Sequence, residues 1–331
     1  MFSSSAYLQI VSFLLSILII TITFIKFDSN NNNADNTSLS EQKNEFDEIV
    51  SIKNRIPRIV DGIPVTREDD PSGIVLIFTV REGEYQYRRT RCTGTLLDAD
   101  TILTAAHCFD KFLKLEIFVG LYDFNNYHLD SSNNGQIFHI SNKTSVHKHP
   151  MWNEDVNYGY DMSIVKLENG DKVSFTEYVK PAKLEARKIP INALLQGYGY
   201  GNLQKDTRGN SEILRKTLVV NQHTDVCLNL MRKYPQEFPD DDIPNFKFVP
   251  NSLCVVRYNH AKNTAGQPCN GDSGGPIFTK DTAGNYAVAG TLSWGTPHVC
   301  TLFTVYENTA FDRDWLDSFG DYFNYPRNMV G

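Results

Sequence analysis

From residue 57 onward, short runs of β-branched and aromatic residues alternate with turn-forming clusters. The runs fall at residues 74–80, 101–105, 116–119, 137–140, 162–167, 217–220, 287–293 and 303–306. Branched and aromatic side chains favour extended backbone because they pack well on a pleated surface. Asn, Asp, Gly and Pro, the residues that turns select, separate the runs. No helical period recurs between the runs, which argues against an alternating strand–helix fold. The pattern predicts an all-β protein, either a sandwich or a pair of barrels. One late stretch differs. Within residues 310–319, Phe311, Trp315 and Phe319 recur at four-residue spacing, the signature of an amphipathic terminal helix. These aromatics read as packing, not as a ligand box.

The N-terminus has another texture. Residues 6–25 are apolar or uncharged throughout, with Leu14, Leu15, Ile17, Leu18, Ile19 and Ile20 at the centre. A run of this length is about enough to cross a bilayer. No Lys or Arg precedes it and no clean small-x-small cleavage site follows. Its length favours a retained anchor; its position ahead of a cysteine-bearing chain favours a cleaved signal peptide. Both readings stand for residues 1–28. A buried core helix is the weakest reading, because the next segment offers nothing to pack against. Residues 29–58, rich at first in Asn, Asp, Ser and Glu, read as a linker or propeptide. Residues 59–331 read as the folded domain. Asn36 and Asn142 each open an Asn-x-Ser/Thr sequon, so both are candidate glycosylation sites.

Composition narrows the function. A hydrophobic share of 41% in 331 residues supports a sizeable core. Net charge is −7 and no long basic run occurs, which argues against nucleic acid as a partner. The six cysteines are Cys92, Cys108, Cys227, Cys254, Cys269 and Cys300, with no C-x-x-C among them, so zinc is a poor reading. An even count behind an apolar N-terminus points to disulfides and an oxidising compartment. The expected location is secreted, or a single-pass membrane protein with its folded domain outside. Spacing alone leaves the cysteine pairing open. His147 and His149 flank Lys148, but no third ligand is evident, and a surface loop before Pro150 is preferred to a metal pair.

The sharpest signal is Gly271-Asp272-Ser273-Gly274-Gly275-Pro276. Glycines permit a strained turn and close backbone approach. A serine on such a turn can present its hydroxyl while nearby N–H groups face a substrate. Serine is a weak nucleophile without a base and a group to orient that base. Candidates for both precede it. Thr104-Ala105-Ala106-His107-Cys108 places a histidine beside small residues after a predicted strand. Asp161 stands at the entry to the apolar run Met162-Ser163-Ile164-Val165-Lys166-Leu167, where a carboxylate needs hydrogen-bond partners such as a histidine N–H.

With Ile59-Val60-Asp61-Gly62 before them and Ser293-Trp294-Gly295 after, these pieces resemble the chymotrypsin/trypsin family of serine proteases in content and in order. The resemblance covers about residues 59–320. It implies two Greek-key six-stranded β-barrels packed side by side, with a C-terminal helix. It implies His107 as general base, Asp161 as its orienter and Ser273 as nucleophile. The N–H groups of Gly271 and Ser273 would form the oxyanion hole. Ser293 would lie near Asp161, and the 293–295 backbone would pair with substrate. Cleavage between Arg58 and Ile59 would free an amino group to pair with Asp272. The implied disulfides are Cys92–Cys108, Cys227–Cys254 and Cys269–Cys300. Expected partners are a polypeptide substrate, an activating protease and a protein inhibitor, with a membrane tether through residues 6–25 under the anchor reading.

Specificity is read from fewer residues. The pocket floor, six residues before the nucleophile, would be Gln267, which offers no counter-ion to a buried Lys or Arg. Pro268 follows it, Gly295 keeps one wall open, and Thr304 narrows the pocket. With Trp294 on the wall, this predicts an uncharged, small to medium side chain before the cut. No cofactor or metal is expected; in particular, Leu121 follows Val119-Gly120 where calcium-binding members carry acidic residues. The competing reading is a catalytically impaired homologue acting as a binding module.

Overall fold

The computed structural model describes residues 62–66, 69, 73–81, 88–124, 135–202, 211–234, 248–258, 266–280, 284–296, 300 and 302–324. The chain divides into two units, residues 1–56 and 57–331, and every described residue belongs to the second. Residues 6–25, Asn36, Arg58 and Ile59 lie outside the described residues. Among the described residues no helix is long and apolar enough to cross a membrane.

Two antiparallel sheets account for the strands. A short β1 (Ile63–Pro64) belongs to the second. The first contains β2 (Ile74–Arg81), β3 (Arg88–Leu96), β4 (Thr101–Thr104), β5 (Lys114–Val119), β6 (Gln136–Ile140), β7 (Val146–Lys148) and β8 (Ser163–Lys166). Their order is β6-β5-β2-β3-β4-β8-β7. The second sheet adds β9 (Leu194–Gly199), β10 (Arg215–Gln222), β11 (Ser252–Arg257), β12 (Pro276–Lys280), β13 (Tyr286–Gly295) and β14 (Phe303–Asn308). It runs β1-β10-β11-β14-β13-β12-β9, and β9 pairs back onto β10. Six strands thereby close a ring, with β1 attached to β10. The expected all-β pair of curled sheets with a terminal helix is what forms, each sheet carrying one short strand beyond six.

Side-chain alternation explains the core. In β2, Val75 and Ile77 point into a cluster with Leu96, Ile102 and Ile117 inside the first sheet. The alternate residues Ile74, Leu76 and Phe78 point the other way, into a central cluster with Tyr198, Tyr200, Phe278 and Val288 of the second sheet's region. A strand buried on both faces reads as a continuous apolar run, and IVLIFTV does. Leu195, Val219, Val255, Ile277 and Leu292 fill the second ring. Each such side chain taken from water contributes about 1.5–3 kcal/mol.

Two helices complete the unit. Helix α1 (Thr224–Lys233) buries Cys227, Leu230 and Met231 along one face, and the Cys227–Cys254 disulfide fastens it to β11. Helix α2 (Arg313–Asp317) is shorter than the 310–319 stretch predicted. Asn308 turns the chain first, its Oδ1 and carbonyl accepting from the N–H groups of Ala310 and Phe311. Phe311 is consequently exposed, Leu316 is the buried helical residue, and Trp315 and Phe319 pack against the central cluster.

Candidate active site

The serine loop lies between the two sheets. The Ser273 carbonyl accepts from Thr93 N–H of β3 at 2.8 Å, and Gly274 N–H donates to Leu292 O of β13 at 2.7 Å. Thr93 Oγ1 donates to Gly271 O at 3.1 Å. Gly274 has φ +78°, and a Cβ there would stand 2.0 Å from Thr104 Oγ1 and 2.5 Å from Thr93 O. Only glycine combines that backbone with that approach. The N–H groups of Gly271 and Ser273 have no acceptor among the described residues, as donors reserved for a substrate oxygen would be.

Strand pairing brings the histidine and aspartate together. Strands β4 and β8 are neighbours, with Thr104 opposite Ser163. His107 sits on the 3-10 turn Ala106–Phe109 after β4, and Asp161 lies just before β8. The Cys92–Cys108 disulfide pins that turn to β3. His107 Nδ1–H donates to Asp161 Oδ2 at 2.7 Å, and His107 backbone N–H donates to Asp161 Oδ1 at 2.8 Å. Ser293 Oγ–H donates to Asp161 Oδ2 at 2.6 Å. The β13–β14 register shifts between Leu292 and Trp294, so Ser293 falls at an irregularity where a bulge re-aims its side chain.

Burial and charge set the electrostatics. Asp161 is fully buried while the His107 side chain is 28% exposed. Burial alone would raise the Asp161 pKa. The His107 charge, with the hydrogen bonds from His107 and Ser293, outweighs it and holds the carboxyl below its ordinary value. Burial likewise pushes the His107 imidazole down, but Asp161 outweighs it and leaves the pKa raised. The arrangement keeps Asp161 ionised and makes His107 a stronger base than a free imidazole.

Tyr160, just before Asp161, has φ +59°. A bulky side chain in that left-handed region costs roughly 1–2 kcal/mol, so its surroundings must hold it. Its N–H donates to Glu307 Oε2 at 3.0 Å. Its ring stacks on His149 with centroids 4.9 Å apart. His149 is therefore buried between Tyr160 and Trp315, not on the surface loop expected from sequence, while His147 remains exposed.

A cavity of about 290 Å³ joins His107 and Ser273 to Ser293, Trp294, Gly295 and Thr304. Gly295 and Thr304 are cross-strand partners, and a Cβ on Gly295 would lie 2.8 Å from the Thr304 methyl. The methyl thus stands across the opening that glycine leaves. Gln267 does not line the cavity. It is buried, and Thr304 Oγ1, on the cavity wall, donates to Gln267 Oε1 at 3.4 Å. Gln267 Nε2 has no partner among the described residues. The Cys269–Cys300 disulfide closes one side. Sequence reasoning missed Val156, Asn270 and Thr296 in the lining; they lie in loops with no pattern to mark them.

Asp272 points away from the cavity into a pocket built of backbone. Gly201 N–H donates to its Oδ1 at 2.6 Å and Cys269 N–H to its Oδ2 at 2.8 Å. A Cβ at Gly199 or Gly201 would come within 2.0 or 2.3 Å of the carboxylate oxygens. Burial raises the Asp272 pKa to about 6 despite these bonds and the charge of Arg91. No side-chain cation hydrogen-bonds to it among the described residues. Asn142 is exposed, its Oδ1 accepting from Thr144 N–H at 3.0 Å.

Comparisons with known proteins bear on the family and the fold. A profile of the family described as Trypsin matches residues 66–315. The chain is 31% identical to the serine proteinase stubble of Drosophila melanogaster, over 64% of this chain and 25% of that protein. It is 28% identical to transmembrane protease serine 9 of Rattus norvegicus, over 68% and 19%. It is 27% identical to trypsin 5G1 of Aedes aegypti, over 78% and 84%. The chain thus spans a quarter or less of the first two proteins. The structure of neuropsin, a serine protease expressed in the limbic system of mouse brain, aligns with a TM-score of 0.58 at 20% identity, covering 78% of this chain and 98% of that one. That last likeness bears on the fold.

Proposed function

The chain belongs to the trypsin family, and from that premise we propose that it is a serine endopeptidase, made as a zymogen and activated by cleavage after Arg58. The observation that carries the reading is the buried Asp161 carboxylate held by His107 and Ser293, with His107 and Ser273 on one cavity. His107, oriented through Nδ1, takes the Ser273 proton through Nε2. Ser273 Oγ attacks the scissile carbonyl, and the N–H groups of Gly271 and Ser273 receive the oxyanion, each worth about 10²–10³ in rate. His107 then returns the proton to the leaving amine. Water, activated by the same base, hydrolyses the acyl-enzyme.

Activation follows from Asp272. Its carboxyl is buried with backbone donors but, among the described residues, no hydrogen-bonded cation, and an uncompensated buried charge is costly. The amino group of Ile59, freed by cleavage, supplies that cation and fixes the loop carrying Gly271 and Ser273. The Thr304 methyl and the neutral Gln267 favour an uncharged, small to medium side chain before the cut. Polypeptides are the substrate, an activating protease and a protein inhibitor are the partners, and the chain acts outside the cell, free or tethered through residues 6–25.

A fluorophosphonate probe tests the reading against the impaired-homologue alternative. Labelling is expected after cleavage at Arg58 and is lost in Ser273→Ala. Well-folded, cleaved protein that takes no label is a binding module.

A further inference from the structure

Behind the aspartate of the site lies a polar cluster that the proposed mechanism does not use. Glu307 sits on β14, hydrogen-bonded on one side to β11 and on the other to β13, and is fully buried. A glutamate in the middle of a closed sheet needs partners. Its Oε2 accepts from Tyr160 N–H at 3.0 Å and from Asn251 Nδ2 at 2.7 Å. Asn251 is fully buried as well, and its Nδ2 also reaches Asp312 Oδ2 at 3.3 Å. Among the described residues, Glu307 Oε1 and Asn251 Oδ1 meet no donor in hydrogen-bonding geometry.

We propose that Glu307 is a positioning residue that clamps the backbone of Tyr160 and thereby aims Asp161 at His107. Tyr160 holds a left-handed φ of +59°, and that conformation sets the direction in which Asp161 leaves the chain. The Glu307 carboxyl is the hydrogen-bond acceptor for the Tyr160 N–H. A proton on Oε1 turns one of those two unmet acceptors into a donor. The titratable groups facing Glu307 are Asp161 and Asp312, with His149 beyond at 3.6 Å from Asp312 Oδ1. Burial and the charges of Asp161 and Asp312 favour the protonated carboxyl over the ionised one, against the pull of the Tyr160 and Asp161 N–H groups. With Glu307 neutral, the negative charge of the cluster stays on Asp161, where the imidazolium needs it.

The inference rests on the protease reading, and its test separates the two. Glu307→Gln keeps the acceptor and replaces the proton with an amide donor. Glu307→Met removes both. With cleaved protein and a peptide substrate, Glu307→Gln is expected to retain kcat/KM and the pH of its acid limb. Glu307→Met is expected to lose kcat by about ten- to a hundredfold, with KM little changed. The low-field proton resonance of His107 Nδ1–H should persist in the Gln variant and move in the Met variant. An acid limb displaced to lower pH in Glu307→Gln overturns the proposal, because it means a negative charge was removed; this variant decides the matter even if the Met variant does not fold. A Met variant with parental kcat and pH profile also overturns it, leaving the protease reading intact. If the parent protein neither cleaves peptide nor takes a Ser273-dependent label, both fall together.

Discussion

Ser293→Ala removes one of three hydrogen bonds from a carboxylate that solvent cannot reach. Asp161 accepts from His107 N–H at 2.8 Å, from His107 Nδ1–H at 2.7 Å and from Ser293 Oγ–H at 2.6 Å. A hydrogen bond to a charged group contributes about 1.5–3 kcal/mol. The Asp161 pKa is depressed in the fold, so its contribution to stability is present above the ordinary carboxylate range. It is lost as pH falls through the lower folded value. The variant should therefore be less stable at pH 7 by about 1.5–3 kcal/mol, read as a fall in the urea midpoint. A carboxylate short of one donor leans harder on the imidazolium. The His107 pKa, already raised by Asp161, should rise further. In the proposed mechanism neutral His107 is the working base, so the acid limb of kcat/KM is expected to move to higher pH. An acid limb that stays in place or moves to lower pH, with an unchanged urea midpoint, would refute the claim that Ser293 stabilises the ionised aspartate.

Two further outcomes follow from the cavity and from Asp272. Thr304→Gly removes the methyl opposite Gly295; a peptide library should show preference shifting toward larger side chains before the cut by about tenfold or more, and an unchanged profile would count against Thr304 as the limiting wall. In the uncleaved chain the Asp272 pKa is raised to about 6, so stability falls as pH rises from the ordinary carboxylate range through about 6, by about 3 kcal/mol. Cleavage at Arg58 should cancel that loss, and the melting-temperature difference between cleaved and uncleaved protein should therefore widen from pH 4 to 7; a constant difference would contradict pairing of Asp272 with a new amino group.

The eight apolar runs read from the sequence all lie in or overlap strands, because double-sided burial writes itself as Val, Ile, Leu and Phe. Other strands were illegible for stated reasons. Strand β3 begins Arg-Arg-Thr-Arg, and those arginines look like surface until Arg89 and Arg91 are seen over the Phe78 ring. Strand β9 carries two glycines that open the space occupied by Asp272 and Tyr306. Strand β12 opens on Pro276, which sequence reading assigned to a turn. Around the site, Ser273, His107 and Asp161 stood out because each sits in a local pattern. Glu307 and Asn251 did not, since a single polar residue at a strand end looks like a boundary until five separate segments converge on it. Gln267 was legible as neutral, yet its burial behind Thr304 depends on a cross-strand register that sequence does not reveal.

The machinery is divided along the chain. His107 and Asp161 flank strands of the first sheet, while Ser273 and Ser293 come from the second, and the Ser293–Asp161 hydrogen bond spans 132 residues. Synthesis delivers His107 and Asp161 well before Ser273 exists. A chain interrupted between residues 161 and 273 holds that imidazole and carboxylate but not the Ser273 hydroxyl. On the proposed mechanism, the order in which the two halves emerge and dock withholds hydrolysis even before any cleavage at Arg58.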